Sequence, residues 1–233
     1  FGCVGQPADA ANIARVIGLT AGIPKTVPAY TVHRNCASGI EAVVSAAIKI
    51  QVGEGRCILA GGTESMSNIP FFYSKAAQEI FMELSKAKTL PDRLKAFFKF
   101  RPEHLLNPKI GLALGLTDPA CGLNMGQTAE VLAKEFGITR NEQDKFSLES
   151  HLKAVAAKEI LREEIVPVIP APKYKEAIVS DNGPREGQTM DALAKLRPFF
   201  EKGTGTVTAG NSSQVTDGAA ALLVMSESRA KEL

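Results

Sequence analysis

Tryptophan is absent from the 233 residues, and cysteine (four) and histidine (three) are sparse. Cys3, Cys36, Cys57 and Cys121 form neither a Cys-x-x-Cys pair nor the dense spacing of a disulfide framework, which argues for a reducing compartment. His33, His104 and His151 lie far apart, and none stands at ligand spacing from a cysteine or carboxylate, so no metal site is expected. No apolar run approaches the roughly 20 residues that a bilayer crossing needs, and no signal peptide is visible. Charge of one sign is also missing: 27 Lys and Arg against 25 Asp and Glu leave +2. With 45% hydrophobic residues and no repeat or low-complexity tract, this is an ordinary globular chain, neither disordered nor coating nucleic acid. It begins on Phe1 instead of Met and stops in a helical pattern at Leu233, as expected of a fragment or excised domain.

What is present is apolar periodicity. Over residues 7–22, Ile13, Val16 and Ile17 recur at helical spacing and Gly22 and Pro24 follow as stop signals, which predicts a helix. Residues 28–34, with Tyr30, Thr31 and Val32, predict a short strand. Ile40, Val43, Val44, Ala47, Ile48 and Val52 mark one face of the next helix, expected to be its buried side. Residues 56–61 read as a fully buried strand of a parallel sheet, so strand, helix and strand form a right-handed βαβ unit. Residues 61–67 are too rich in Gly and Ser to continue that strand, and they open a long excursion before the apolar strand 219–225. Within it, residues 126–136 and 141–160 predict helices, the second opened by a capping box from Thr139 to Glu142. Pro167, Pro170, Pro172 and Pro184 break the next stretch into loop with a short strand at 165–169. Residues 204–218 predict a strand and a polar turn, and Ser226 caps a last helix.

The stretch Arg34-Asn35-Cys36-Ala37-Ser38-Gly39 joins strand to helix. Backbone N–H groups at a helix N-terminus are unpaired and partially positive, which biases a thiol there toward the nucleophilic thiolate. In open α/β sheets ligands bind beyond the carboxyl ends of strands, where Cys36 would sit. The alternative is that Cys36 is a small buried hydrophobe. Glu64 reads either as a hydrogen-bonding residue behind the site or as a solvated loop carboxylate. Asn211, Ser212, Ser213, Thr216 and Asp217 gather polar groups in one turn, where a local side chain to backbone network is the competing reading.

Lys86, Lys88, Arg93, Lys95, Lys99 and Arg101 face a single acid, Asp92, and are interleaved with Leu90, Leu94, Phe97 and Phe98 at helical spacing. A basic amphipathic helix is predicted. It suits contact with a membrane surface or an acidic partner, attraction of a phosphorylated substrate, or packing on its own domain through the Leu and Phe side.

Together these segments resemble a thiolase. The resemblance rests on Asn35-Cys36-Ala37-Ser38-Gly39, on Ala60-Gly61-Gly62-Thr63-Glu64-Ser65-Met66-Ser67, on Met125-Gly126-Gln127-Thr128-Ala129-Glu130, on Leu196-Arg197-Pro198-Phe199, and on residues 205–220. It implies an α/β chain: a layered α-β-α N-terminal domain, residues 1–62 and 208–233, with an inserted, mainly helical loop domain over 63–207. The stretch from Leu84 through Leu94 is similar to the fatty-acid β-oxidation thiolases that serve as β subunit of a multienzyme complex.

The family works by two-step acyl transfer, and Cys36 matches its nucleophile, with its own N–H as one oxyanion-hole donor. Ala209 and Ser213 match positions lining the pantetheine tunnel. Asn124-Met125 stands where many thiolases have His-Met, and Gln214 replaces the usual glycine after the pantetheine serine. The implied ligands are acyl-CoA and coenzyme A as co-substrate, with no permanently bound cofactor and no nucleic acid. A homodimer, an α-subunit partner and a cytoplasmic setting, mitochondrial in a eukaryote, go with the resemblance. The activating His, the Asn-Glu-Ala-Phe segment and the second, acid/base cysteine belong to the family's C-terminal half, so these 233 residues alone are expected to be inactive. Rival readings are a biosynthetic acetoacetyl-CoA thiolase and a non-catalytic lipid or CoA carrier or membrane-docked scaffold.

Overall fold

The structure, a computed structural model, describes residues 1–172 and 175–233. In chain order it opens with α1 (Ile13–Thr20), α2 (Ser38–Gln51), β1 (Cys57–Glu64) and β2 (Phe71–Phe72). There follow α3 (Lys75–Lys86), α4 (Leu90–Phe97), α5 (Pro102–Leu106), β3 (Lys109–Ile110) and α6 (Gly111–Gly115). The remaining elements are α7 (Met125–Glu135), α8 (Arg140–Ala156), α9 (Lys158–Glu164), α10 (Met190–Ala194), β4 (Gly218–Met225) and α11 (Glu227–Glu232). Two compact units result, one of residues 1–114 and 215–233, the other of residues 115–214.

The first unit is built on backbone ladders around β1. The first residues of the chain run parallel to it: Gly2 N–H donates to Gly61 O at 2.8 Å, and Gly2 O accepts the Thr63 N–H at 3.0 Å. Gly2 also bridges Val32 in parallel, with Cys3 N–H donating to Val32 O and Val32 N–H to Phe1 O. The strand expected at residues 28–34 is reduced to this isolated bridge at Val32, so of the strand, helix and strand expected around α2 only the helix and β1 form in full, with Gly2 bridging between Val32 and β1. β4 departs from the parallel expectation. It enters at Gly218 beside Glu64 and runs back antiparallel along β1, the only direction open to a strand arriving at that end.

β1 also continues through Gly61 and Gly62 to Glu64, where a turn was expected. Backbone bonding to Gly2 on one side and pairing with Ala219, Ala220 and Ala221 on the other outweigh the low strand preference of glycine. Full burial is not observed. Ala60 is buried, but Leu59 is 44% and Leu223 59% exposed.

Helix α2 packs on β1 and β4 through Ser38, Ala42 and Ala46, at i, i+4 and i+8. The predicted burial is inverted, since Ile40, Val44, Ile48 and Val52 form an exposed ridge. A helix drawn close to a surface of Gly and Ala buries its smallest side chains, which leaves its large aliphatic ones on the other side. α1 is shorter than predicted because the Asn12 side chain accepts the Arg15 N–H and sets the start.

The predicted basic helix is divided. α3 ends at Lys86, and Thr89 caps α4 with Pro91 in its first turn, which forces a fresh start. Leu90, Leu94, Phe97 and Phe98 are all exposed, so the side meant to pack on its own domain is uncovered. Phe81, Phe97 and Phe100 make edge-type ring contacts that hold α3 and α4 together.

The second unit is helical. Its α8 opens with the expected capping box from Thr139 to Glu142, but the predicted helix 141–160 is interrupted at Ala157 between α8 and α9. The strand predicted at 165–169 is reduced to one antiparallel bridge, Val168 with Ile178. Residues 204–211 carry no strand, because side chains from α7 and α8 bind their backbone groups instead. No helix among the described residues is long and apolar enough to cross a membrane.

One carboxylate ties the start of β4 to the turn after β1. Asp217 Oδ1 accepts the Ser67 N–H at 2.9 Å and Oδ2 the Ser65 hydroxyl at 3.4 Å. The Ser67 N–H, foremost among these donors, holds the Asp217 carboxyl below its ordinary value of 3.8. A depressed carboxyl contributes stability that is present above its unfolded-state value and lost as pH falls through the folded-state value. Asp217→Asn is therefore expected to lower the melting temperature at pH 7, with the gap to the parent closing as the pH falls below about 3.8. Thermal melts of both proteins from pH 7 to pH 2.5 check this, and a pH-independent gap would contradict it.

Candidate active site

The turn before α2 is shaped by one residue and pinned by another. Asn35 has φ 47°, the single non-glycine residue with positive φ among those described. Asparagine tolerates the left-handed region better than other side chains. Ser38 Oγ donates to Asn35 O at 2.7 Å and accepts the Arg34 N–H at 2.8 Å, while Ala37 N–H and Ser38 N–H donate to Arg34 O and Asn35 O. The loop is thus closed on itself at both ends. Arg34 also pairs with Glu41 in the first turn of α2 at 2.7 Å.

Beneath this turn the sheet has no side chain. A Cβ built on Gly2 would lie 2.4 Å from the carbonyl carbon and oxygen of Ser38 and 2.7 Å from Gly39 N. A Cβ built on Gly62 would reach the Gly39 Cα at 3.5 Å, an ordinary van der Waals distance, so the tight approach is at Gly2. The first turn of α2 thus rests directly on the backbone of the sheet.

Cys36 stands on the outer side of this turn, just before Ala37, the N-cap of α2, and its thiol is free and exposed. Exposure removes the reading of Cys36 as a buried hydrophobe. Cys3 takes that part: it is 4% exposed, and burial, followed by the Glu64 charge, pushes its thiol up. Glu64 is a hydrogen-bonding residue, not a free loop carboxylate. It accepts the N–H groups of Val4 and Gly5, both at 2.8 Å, and so anchors the segment that lies under α2.

Asn124, Met125, Ala209 and Ser213 belong to the second unit, whereas Cys36 belongs to the first. Asn124 caps α7 in a reciprocal box with Gln127, its Oδ1 accepting the Gln127 N–H at 2.9 Å. Met125 opens α7 and is half-exposed. Ala209 and Ser213 are exposed on a loop whose neighbours Val207 and Thr208 are buried.

Sequence reasoning passed over what holds that loop. Glu130, on α7 and 3% exposed, accepts the Thr206 N–H, the Val207 N–H and the Thr206 hydroxyl at 2.9 to 3.1 Å. Asp144, on α8 and 2% exposed, accepts Arg140 Nε at 2.8 Å and Asn211 Nδ2 at 2.9 Å. The signal for Glu130 was its helical spacing from Gly126 and Ala133. Gly126 bears the Phe200 ring where a Cβ would stand, and Ala133 is buried, so Glu130 had to face inward. Among the described residues no cluster of His, Cys, Asp or Glu could hold a metal ion.

Fold and site together define an α/β protein that presents a cysteine on a sharp turn at the head of a helix. Residues 1–228 match the family model "Thiolase, N-terminal domain", and the chain belongs to the thiolase family. It is 42% identical to a 3-ketoacyl-CoA thiolase of Pectobacterium carotovorum and 41% to one of Escherichia coli, in each case over the whole chain and 53% of the relative. Among solved structures, the acetyl-CoA acetyltransferase of Bacillus anthracis aligns with TM-score 0.80 at 36% identity, covering 100% of this chain and 54% of that one. Human mitochondrial 3-ketoacyl-CoA thiolase in complex with CoA aligns with TM-score 0.78 at 34% identity, covering 99% and 53%. The chain spans about half the length of the relatives it matches.

The turn's conformation yields a stability test. Asn35→Gly keeps the left-handed conformation without a Cβ, whereas Asn35→Val places a β-branched residue there and costs about 1–2 kcal/mol. Urea denaturation is expected to show a lower midpoint for Asn35→Val than for Asn35→Gly, with equal slopes; equal midpoints would show that the turn does not depend on this conformation.

Proposed function

We propose that this chain supplies the nucleophile-bearing half of a 3-ketoacyl-CoA thiolase that works in the degradative direction on fatty-acid β-oxidation intermediates. The observation that carries the reading is Cys36, exposed at the head of α2, in a chain similar along its whole length to proteins of that name. The Cys36 thiolate attacks the keto carbon of a 3-ketoacyl-CoA. The bond between C2 and C3 breaks, acetyl-CoA departs once its carbanion is protonated, and the acyl group remains as a thioester on Sγ. The thiol of a second CoA then attacks that thioester and releases the shortened acyl-CoA. CoA is a co-substrate, and no resident cofactor enters either step.

The proton transfers need a base and an acid from residues other than these 233. His104 Nδ1 accepts the Arg101 N–H and His151 Nδ1 the Arg185 N–H, which supports structural roles for both. In this reading Ala209 and Ser213 line the pantetheine path, Met125 and Asn124 flank the acyl chain, and residues 63–207 form a loop domain inserted in a core of 1–62 and 208–233. A homodimer and an α-subunit partner belong to the same reading.

A membrane-surface role for residues 86–101 is favoured by one specific observation, the exposure of Leu90, Leu94, Phe97 and Phe98 beside six cations. Apolar residues amid Lys and Arg match an interfacial helix. A docked enzyme would take substrates from a lipid-associated multienzyme complex.

Two experiments bear on these readings. In the protein expressed from its complete gene, Cys36→Ser is expected to cut thiolysis of a 3-ketoacyl-CoA by roughly 10³-fold or more, with activity in the parent extending beyond four-carbon substrates. Undiminished turnover in Cys36→Ser would sink the assignment, and a strict four-carbon preference would turn it to the biosynthetic rival. Vesicles containing anionic lipid are expected to bind the protein at low salt and release it as salt screens charges beyond ~8 Å. Failure to bind at low salt would remove the membrane role.

A further inference from the structure

We propose that Glu130, with Asp144 behind it, is a positioning residue for the loop that carries Ala209 and Ser213. The inference rests on the pantetheine-lining role proposed above for that loop. Residues 204–213 have no regular secondary structure, so no ladder of backbone bonds sets their path. Something else must, because two residues that touch a flexible ligand act together only when their spacing is fixed.

Two buried carboxylates provide the fixing. Glu130 projects from the middle of α7, and its two oxygens receive the N–H groups of Thr206 and Val207 and the hydroxyl of Thr206. Hydrogen bonds to an ionised acceptor are the stronger kind, and here they fall on consecutive backbone donors, which fixes the direction of the chain as it approaches Ala209. Gln143 on α8 adds a bond to the Thr206 hydroxyl at 2.9 Å.

Asp144 acts one step further along. Held by Arg140, it orients Asn211, whose Nδ2 also donates to Thr206 O at 3.0 Å and whose Oδ1 accepts the Thr208 N–H at 2.8 Å. Asn211 thereby folds the loop back on itself. Ser212 Oγ donates to Thr208 O at 2.7 Å, and Ser147 Oγ to Gly210 O at 2.5 Å. The bonds on the inner side of the loop run to α7, to α8, to the loop itself and, through Val207 O, to the Phe199 N–H. Ala209 and Ser213 are left on the outer side, exposed at a spacing set from behind.

A carboxylate is suited to this task because it only accepts, and it does so at both oxygens. Glutamine in its place would turn an NH₂ group toward at least one of the donors. The loop would then move to relieve the donor–donor conflict, and the two outer residues would lose their spacing.

The test uses the protein expressed from its complete gene. Glu130→Gln is expected to raise the Kd for CoA, read by calorimetric titration, by on the order of tenfold, with KM for CoA rising alongside. Turnover at saturating CoA is expected to change by less than about threefold, and alkylation of Cys36 by iodoacetamide, followed by peptide mass, to keep the parent rate. A purely structural lesion would not produce that split. Thr206→Val removes one donor without placing a new one against the carboxylate, and is expected to weaken CoA binding in the same direction by a smaller factor. Parent-like CoA affinity in both variants, or in Thr206→Val alone if Glu130→Gln does not fold, would overturn the role of Glu130 while leaving that of the loop intact. A parent protein that binds no CoA would overturn both.

Discussion

The first turn of α2 stands where it does because nothing projects from the sheet below it. Gly2 leaves room for the Ser38 carbonyl to rest on the backbone, where a Cβ would stand 2.4 Å from it. Much of the first unit answers to that close approach. The chain enters the helix through a tight turn, which only a left-handed residue at position 35 allows. Ser38 is directed inward, where its hydroxyl bonds both sides of the turn. The thiol of Cys36 is left outside, exposed to solvent. Glu64 completes the arrangement by holding Val4 and Gly5, so the strand under the helix is fixed by a charge as well as by its ladder.

The second unit solves a different problem with a different device. Its polar loop has no neighbouring strand to pair with, and buried N–H groups without partners are costly, by about 1–3 kcal/mol each. α7 and α8 meet that cost with carboxylates. Burying a charge is itself unfavourable unless it is paired or well solvated by donors, and Glu130 and Asp144 satisfy the condition in two ways. Glu130 relies on backbone and hydroxyl donors, whereas Asp144 has the guanidinium of Arg140, whose Nη2 donates to the carbonyls of Leu193 and Leu196.

Local signals were legible in the sequence and relational ones were not. The capping box at Thr139, the cap at Ser226 and the strand expected at 219–225, observed as Gly218–Met225, depend on residues near in the chain, and all are present. The cysteine turn was placed correctly for the same reason. Which side of α2 faces the sheet depends on what the helix meets, and the periodicity of Ile40, Val44 and Ile48 could not report that the sheet offers only glycine and alanine. The continuation of β1 through two glycines depends on partners about 160 residues later in the chain. Glu130 lies within the motif of residues 125–130, but its role is not legible there, because its donors lie 76 and 77 residues away.

Ser38, Ala42 and Ala46 form a seam along which a rigid rod of 14 residues, about 21 Å long, lies on its support. A rod held along a narrow line of small side chains behaves as a lever. Enlarging Ala46 lifts the far end and tips the near end, so a change two turns away is delivered to the thiol at Cys36 as a tilt. Core positions in this unit therefore belong to the geometry of the turn before α2, and variation at an alanine is a means by which the position of the Cys36 thiol can be shifted without altering any residue beside it.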